Sequence, residues 1–253
     1  MRKYIFDDPR GLFGKNEPIL IAHRGFTPVA PENSLVSFRE AAKRGYWAIE
    51  TDVHETLDGV LVCCHNFSLS KMYGAKMQIE EHTLAELSDL AIITGNNVEK
   101  YSREELRLPL FDEYLDICKN AGCVPFIETK GDVVEKTIRA VENKGLIEAS
   151  VLSSGNFDHI TEARRVSRDI FIHHIFSSPE QMEIIASLGY GGLSYNYPIL
   201  DDVPDGLIEM THKNGVRVCL RAGDTPEGVR RMMDMELDYI PTNCMTPDMC
   251  KML

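Results

Sequence analysis

The stretch ILIAHRGFTPVAPENSLVSFREAAKRGYWAIETDV, residues 19–53, decides the fold class because it holds a complete strand, helix and strand unit. Two apolar runs, 19–23 and 47–53, predict strands, and the amphipathic segment 33–44 between them predicts a helix. Asn33 and Ser34 are candidates for the N-cap of that helix. The unit is typical of α/β proteins, in which strands and helices alternate along the chain.

The same alternation continues along the rest of the chain. Six more strands are predicted near 124–129, 149–153, 170–175, 191–195, 216–221 and 238–242, and helices over 110–121, 132–144, 156–166, 179–188, 204–214 and 225–236. A chain of 253 residues, 43% of them hydrophobic, can bury one large core. This is the usual size of a (β/α)8 (TIM) barrel, so we expect a single domain over 1–253.

One β-hairpin and a short insertion interrupt the pattern after the second strand. Asp58-Gly59 is a hairpin signal, and the apolar run 60–64 after it would bring His65 back over the barrel mouth. The insertion covers 66–108. Some of its apolar side chains either line a substrate rim or pack the loop onto the barrel, and we favour packing: Phe67, Met72, Tyr73 and Met77.

Two acidic residues, Glu50 and Asp52, alternate on the second strand, so their carboxylates point to the same face. On an exposed strand such a pair is usually no more than solvated. Here Ala48-Ile49 and Val53 flank the pair and indicate a half-buried strand, on which carboxylates need a partner. A hard cation such as Mg²⁺ or Ca²⁺ would relieve their repulsion.

Glu128 and Lys130 share a face at the end of the apolar run 124–127. A same-strand ion pair on the surface is the simpler interpretation. However, barrel enzymes place their chemistry at the ends of such strands. We therefore expect Glu128 to be a third metal ligand, which leaves coordination positions for water and a phosphoryl oxygen.

Two histidines flank the acidic pair: His23 follows the first strand and His65 follows the hairpin. A single histidine after an apolar strand is more often a hydrogen-bonded structural group, but a pair in this setting suits proton transfer near neutral pH. Arg24 offers a planar fork for a phosphate, and Lys130 offers a point charge. Together these residues predict metal-assisted phosphodiester chemistry.

The motifs H-R-G, P-E-N-S, G-x-x-x-I-E-x-D-V, T-x-D-G and H-N occur in this order between residues 23 and 66. With Leu108–Glu113, Phe126–Lys130 and Ser153-Ser154 downstream, the chain resembles the glycerophosphodiester phosphodiesterase family over nearly its whole length. The resemblance implies a (β/α)8 barrel and release of glycerol 3-phosphate and an alcohol from a small-molecule phosphodiester.

The resemblance also implies roles for individual residues. Catalytic histidines would be His23 and His65, phosphate contacts would come from Arg24 and Lys130, and a divalent metal ion, Mg²⁺ or Ca²⁺, would bind three carboxylates: Glu50, Asp52 and Glu128. Which histidine is the acid and which the base stays open at this point. So does the nucleophile, which is either water or the glycerol 2-hydroxyl.

Several positions depart from the family pattern, among them Ala222, which stands where a threonine is usual. Asn66 replaces the aspartate after the second histidine, Asn243 replaces an aspartate near the C-terminus, and Arg221 stands where a tryptophan is usual. Arg221 would favour a more polar or anionic head group. Two alternatives therefore remain: a phospholipase-like diesterase for another head group, or a barrel that binds a phosphorylated metabolite without turnover.

Charge and cysteine usage restrict the partners. A net charge of −12 argues against a nucleic-acid or anionic-membrane surface. Seven cysteines without a C-x-x-C pattern fit reduced thiols, and Met1–Asp8 lacks the apolar core of a signal peptide, so we expect the cytoplasm and no stable membrane insertion. The sequence does not predict an oligomeric state.

Overall fold

The computed structural model describes residues 11–13, 19–220 and 223–252. Its strands are β1 (Leu20–Ala22), β2 (Ala48–Glu55), β3 (Leu61–Cys63), β4 (Val124–Thr129), β5 (Val151–Ser154), β6 (Phe171–His174), β7 (Gly191–Ser194), β8 (Arg217–Cys219) and β9 (Ile240–Thr242). Its α-helices are α1 (Leu35–Lys43), α2 (Ser70–Tyr73), α3 (Leu84–Leu87), α4 (Phe111–Ala121), α5 (Val134–Asn143), α6 (Phe157–Val166), α7 (Pro179–Leu188), α8 (Leu207–Lys213), α9 (Pro226–Asp234) and α10 (Pro247–Cys250). Short 3₁₀ helices cover Ile79–Glu81, Val98–Lys100, Ile147–Ala149 and Leu200–Asp202.

The parallel strands follow the order β8-β7-β6-β5-β4-β2-β1-β9. Between the two ends of this order, the Asp238 amide donates to the Val218 carbonyl at 2.9 Å and the Gly223 amide donates to the Pro241 carbonyl at 2.8 Å. The sheet therefore closes almost completely, with helices between successive strands, and the predicted (β/α)8 barrel is confirmed.

The predicted hairpin is confirmed as well. β3 runs antiparallel to β2 with Val53 opposite Cys63, and it pairs with no other strand of the described chain. The Cys64 amide then donates to the Asp52 carbonyl at 3.0 Å. This bond keeps the chain beside the end of β2, and so His65 follows at the barrel mouth.

Hydrophobic side chains pack in layers on both sides of the sheet. One cluster fills the barrel, and includes Ile21, Phe126, Val151, Phe171 and Tyr239. Alternate residues of the same strands face the surrounding helices, as Ile127 does toward the outer cluster that contains Phe111 and Tyr114. The barrel interior is thus a packed core and leaves the chemistry to its rim.

The insertion 66–108 has a hydrophobic cluster of its own. Met72 and Tyr73 are buried in it, as we predicted, and Met77 is partly buried against it. Phe67 differs, since 48% of its surface is exposed while its ring edge packs on His54. Among the residues that the structure describes, no helix has both the length and the apolar character needed to cross a bilayer.

Candidate active site

The acidic residues singled out in the sequence meet at the C-terminal end of the barrel. Parallel pairing of β2 with β4 sets Asp52 directly opposite Glu128, and Glu50 lies two residues earlier on the same face of β2. Carboxylate oxygens of the three residues lie within 4.8 Å of one another. Glu50 and Asp52 are buried, and Glu128 keeps 19% of its side chain exposed.

These carboxylates repel one another strongly. Burial raises the pKa of Glu50 well above its ordinary value, and the charges of Asp52 and Glu128 raise it further. Burial and Asp52 likewise raise the pKa of Glu128. Burial opposes ionisation of Asp52 too, but Lys130 and Arg24 outweigh it and lower its pKa. The group therefore has an excess of negative charge that a cation would balance.

Two cations reach this acidic group. The Lys130 ammonium lies 3.1 Å from Asp52 Oδ1 and also pairs with Glu128. Arg24 Nε lies 3.5 Å from Asp52 Oδ2, and the backbone amide of Arg24 donates to Glu50 Oε2 at 2.7 Å. Both side chains are mostly buried. Together they place positive charge at the barrel mouth of a protein that is acidic overall.

Asn33 fixes the orientation of the central carboxylate. Its amide donates to Asp52 Oδ2 at 2.9 Å, while its amide oxygen accepts from the Thr51 hydroxyl at 2.7 Å. The residue adopts a left-handed conformation with φ of 48°, and Ser34 alone caps helix α1. Of the two cap candidates from the sequence, Asn33 therefore serves the site instead of the helix.

The two candidate catalytic histidines are each bonded to an asparagine. His23 Nδ1 lies 2.8 Å from Asn243 Oδ1, and His65 Nδ1 lies 2.9 Å from Asn66 Oδ1. Both histidines are half-buried at the barrel mouth. Burial lowers the pKa of His23, and the neighbouring Arg24 lowers it further. A neutral His23 near pH 7 follows from these two effects.

Comparison with known proteins agrees with this site. The sequence model of the Glycerophosphoryl diester phosphodiesterase family matches residues 23–246, which include every residue of the site described above. The chain belongs to this family. It is accordingly a phosphoric diester hydrolase of the glycerophosphodiester phosphodiesterase type.

Individual relatives span nearly the whole chain. A glycerophosphodiester phosphodiesterase of Caldanaerobacter subterraneus is 27% identical over 233 residues, which cover 89% of this chain and 93% of the relative. A putative glycerophosphoryl diester phosphodiesterase from Silicibacter pomeroyi has a TM-score of 0.79 at 25% identity, over 98% of this chain and 97% of that one. A phosphodiesterase of Oleispira antarctica, solved with sn-glycerol-3-phosphate, shares the fold with a TM-score of 0.78 at 22% identity, over 92% of this chain and 95% of that one.

Against the family pattern, both asparagine departures fall beside the histidines. Asn66 and Asn243 place neutral amide oxygens next to His65 and His23. The structure thus places both substitutions in contact with the candidate catalytic histidines, which the sequence alone did not show for Asn243. Two further departures, at 221–222, lie outside the described residues, and the role of Arg221 in substrate binding stays a prediction.

Other histidines serve the surrounding structure. His54 is buried on β2, with Nδ1 2.7 Å from Glu80 of the insertion. His173 faces the barrel interior, where its Nδ1 lies 2.5 Å from the Tyr239 hydroxyl and burial lowers its pKa to about 3. His174 faces outward, 2.7 Å from Ser177 Oγ. Adjacent residues of a strand point to opposite faces, which is why one histidine of β6 faces inward and the other outward.

Sequence reasoning overlooked two residues of this site. Glu32 accepts from the Arg24 guanidinium at 3.1 Å, and Asn33 holds Asp52. Both belong to the P-E-N-S motif, which we used for the family resemblance and for the helix cap. The motif itself could have indicated this. The start of a helix needs one N-cap residue, and the motif contains more polar residues than that.

Proposed function

We propose that this enzyme hydrolyses glycerophosphodiesters to glycerol 3-phosphate and an alcohol, with a divalent metal ion at the carboxylates and two histidines as acid and base. The observation that supports this most directly is the cluster of Glu50, Asp52 and Glu128 with oxygens within 4.8 Å of one another. The Oleispira protein of the same fold, solved with glycerol 3-phosphate, is compatible with the proposed product.

The donor set fits a hard cation. Glu50 Oε1 is buried and has no hydrogen-bond donor among the described residues, and Asp52 Oδ1 faces only the Lys130 ammonium. Buried carboxylate oxygens without donors are costly unless a cation is bound. Glu50, Asp52 and Glu128 would hold Mg²⁺ or Ca²⁺, which when bound supplies Lewis acidity toward a phosphoryl oxygen.

The side chains of the chain itself bind the phosphate and move the protons. Arg24 and Lys130 present N–H groups at the mouth, where they would attract and orient an anionic phosphodiester. His23 and His65 lie on the loops after β1 and after β3, two strands that each pair with β2. One would accept the proton of the nucleophile and the other would protonate the leaving alkoxide.

Release of glycerol 3-phosphate tests this proposal. The substrates are glycerophosphocholine and glycerophosphoethanolamine, each with Mg²⁺, Ca²⁺ or EDTA. We expect metal-dependent turnover that Glu50→Ala and His23→Ala reduce by at least about 100-fold. His82→Ala is the matched control, because His82 lies in the insertion and bonds to the Gln78 carbonyl.

Two results would contradict the proposal. One is turnover that is unchanged in EDTA after the protein has been stripped of metal. The other is a folded protein that binds a divalent ion but turns over neither substrate. A lysophospholipid added to the substrate panel tests the alternative head group, since preference for it would favour the phospholipase-like activity.

We also propose that the enzyme works in the cytoplasm. All seven cysteines are free, and six of them are buried, which fits a reducing compartment. Fractionation of the source cells with an antibody to the protein would test this, and recovery outside the cytoplasmic fraction would contradict it.

A further inference from the structure

A row of three polar side chains extends from the candidate active site to the protein surface. His23 Nδ1 lies 2.8 Å from Asn243 Oδ1, and Asn243 Nδ2 donates to Asp224 Oδ2 at 2.7 Å. The row follows from strand pairing. β1 and β9 lie side by side with Ala22 opposite Thr242, and the His23 amide donates to the Thr242 carbonyl at 3.0 Å. The residues that follow these two strands, His23 after β1 and Asn243 after β9, therefore lie next to each other.

Asp224 determines which way the amide of Asn243 points. The Asp224 carboxylate also accepts from the Asn243 backbone amide at 2.7 Å and from the Thr242 hydroxyl at 3.1 Å. An ionised carboxylate only accepts hydrogen bonds, so the NH₂ group of Asn243 must face it. The amide oxygen is then left to face His23, and the hydrogen-bond network settles which end of the amide is oxygen and which is nitrogen.

The orientation of Asn243 in turn determines the tautomer of His23. An amide oxygen cannot donate a hydrogen bond, so the proton of a neutral His23 must be on Nδ1. Nε2 is then unprotonated and able to accept a proton. Because Asn243 is uncharged, it does not stabilise the imidazolium in the way a carboxylate would.

The second histidine has no comparable row. His65 Nδ1 lies 2.9 Å from Asn66 Oδ1, and Asn66 is the next residue in the chain. Asn66 has one other described bond, from the Cys64 thiol to its backbone carbonyl. Nothing in that arrangement determines the direction of the Asn66 amide, so of the two candidate catalytic histidines only His23 has a tautomer set by described neighbours.

We infer that Asp224 and Asn243 are positioning residues that hold His23 in its Nδ1-protonated form and so keep its Nε2 free to accept a proton. The use of this nitrogen as a general base rests on the proposed function. His23 Nε2 accepts the proton of the nucleophile as its oxygen bonds to phosphorus. The bond from phosphorus to the leaving oxygen breaks, and a general acid protonates the alkoxide, so that both charge and atoms balance.

The tautomer is measured without turnover, by ¹⁵N NMR of histidine-labelled, metal-free protein near pH 8. The His23 signals are assigned with a His23→Gln variant. We expect a pyrrole-type Nδ1 and a pyridine-type Nε2 in the unmodified protein, and a mixture of tautomers in Asn243→Ala and in Asp224→Asn. A protonated Nε2 in the unmodified protein, or no change in either variant, would overturn the inference.

Kinetics provide the second readout. Asn243→Ala and Asp224→Asn should lower kcat by about 10- to 100-fold with little change in KM, because the base is present but partly in the wrong tautomer. Asn243→Asp should restore kcat. It should also move the low-pH limb of the kcat/KM profile to higher pH, since the new carboxylate stabilises the His23 imidazolium.

The charged groups that face His23 are otherwise the same in these variants. Arg24 opposes protonation of His23, and Asp52 and Glu32 favour it. A comparison of Asn243→Asp with the unmodified enzyme therefore isolates position 243. Asn214→Asp, at the exposed end of α8, is the matched control. If the NMR result holds while no phosphodiester is turned over, the proposed function fails and the positioning of His23 stands.

Discussion

At the scale of single residues, the acidic group combines burial with mutual repulsion. Glu50 is 5% exposed and Asp52 is fully buried, and the two cations near them, Arg24 and Lys130, face three carboxylates. A group of this kind is a poor way to stabilise a fold, because each charge is costly to bury. It is a good way to bind a cation.

Glu50→Gln tests this in the metal-free protein. The pKa of Glu50 in the folded protein lies well above its ordinary value of 4.5, so the folded state holds this proton more tightly than the unfolded state. Stability from this group is therefore fully present below a pH of about 4.5 and is lost as the pH rises through the folded-state pKa. In EDTA, we expect the free energy of unfolding of the unmodified protein to fall relative to that of Glu50→Gln as the pH is raised from acidic to alkaline.

Urea unfolding at several pH values measures this difference. Glu99→Gln, on an exposed part of the insertion, is the control and should follow the unmodified protein. Added Mg²⁺ or Ca²⁺ should raise the melting temperature of the unmodified protein more than that of Glu50→Gln. Parallel stability curves for Glu50→Gln and the unmodified protein would contradict the repulsion that we describe.

At the scale of elements, the loop after β1 must pass very close to helix α1. Gly25 has φ of 85°, and a Cβ at this position would lie 2.3 Å from Ser37 Oγ and 2.7 Å from the Ser37 backbone carbonyl carbon. The Phe26 amide donates to the Ser37 carbonyl at 2.9 Å, which keeps the two segments together. The close approach of the backbone beside the candidate catalytic residue His23 thus requires the glycine of the H-R-G motif.

We expect Gly25→Ala to destabilise the protein by about 2–4 kcal/mol, because the clash is with backbone and adds to the strain of a positive φ. Gly45→Ala is the matched control. Gly45 also has a positive φ of 70°, but a Cβ at this position would have nothing within 4 Å, so about 1 kcal/mol is expected. Urea unfolding distinguishes the two, and equal losses would show that the contact with Ser37 does not matter.

The insertion is a second element whose role follows from packing. Its cluster is completed by residues of the hairpin, Val62 and Cys64, which lie just before His65. Ile79 is fully buried in this cluster. The insertion therefore supports the strand that delivers the second histidine.

Ile79→Ala should cost about 2–5 kcal/mol of unfolding free energy, as large-to-small changes in a packed core do. Ile93→Ala, at a position 62% exposed in the same insertion, should cost less than about 0.5 kcal/mol. Denaturation of both variants measures these two losses of unfolding free energy. An effect of Ile79→Ala as small as that of Ile93→Ala would mean that the cluster is loosely packed.

At the scale of the whole molecule, the thiols are distributed through the core and form no disulfide. Cys63, Cys118 and Cys219 are fully or nearly fully buried, and burial raises the pKa of Cys64 to about 12. Cys244 alone is half-buried, and its thiol donates to the Asp224 carbonyl at 3.2 Å. Burial raises the pKa of Cys244 as well.

A thiol-reactive aromatic disulfide should therefore label at most one cysteine per chain quickly in the native protein, and all seven after unfolding. Cys244→Ser should remove the fast phase. The absorbance of the thiolate that the reagent releases gives the number of labelled cysteines in the native protein and in the unfolded protein. Fast labelling of several thiols in the native state would contradict the burial described above.

Local patterns in the sequence were enough to predict the barrel, the hairpin and the acidic pair. Period-two alternation set Glu50 and Asp52 on one face, and the Asp58-Gly59 turn predicted the return of the chain to His65. The order of motifs was enough to indicate the family. These are short-range patterns, which a single sequence records directly.

The exact partners of residues far apart in the chain depend on the tertiary structure. It brought Glu128 opposite Asp52 across β2 and β4, and it placed Asn243 against His23, although the two are separated by 220 positions in the chain. It also moved Asn33 from a predicted helix cap to a bond with Asp52. The physical reason is strand register: closing the barrel pairs β1 with β9, and no local pattern specifies which side chains then lie side by side.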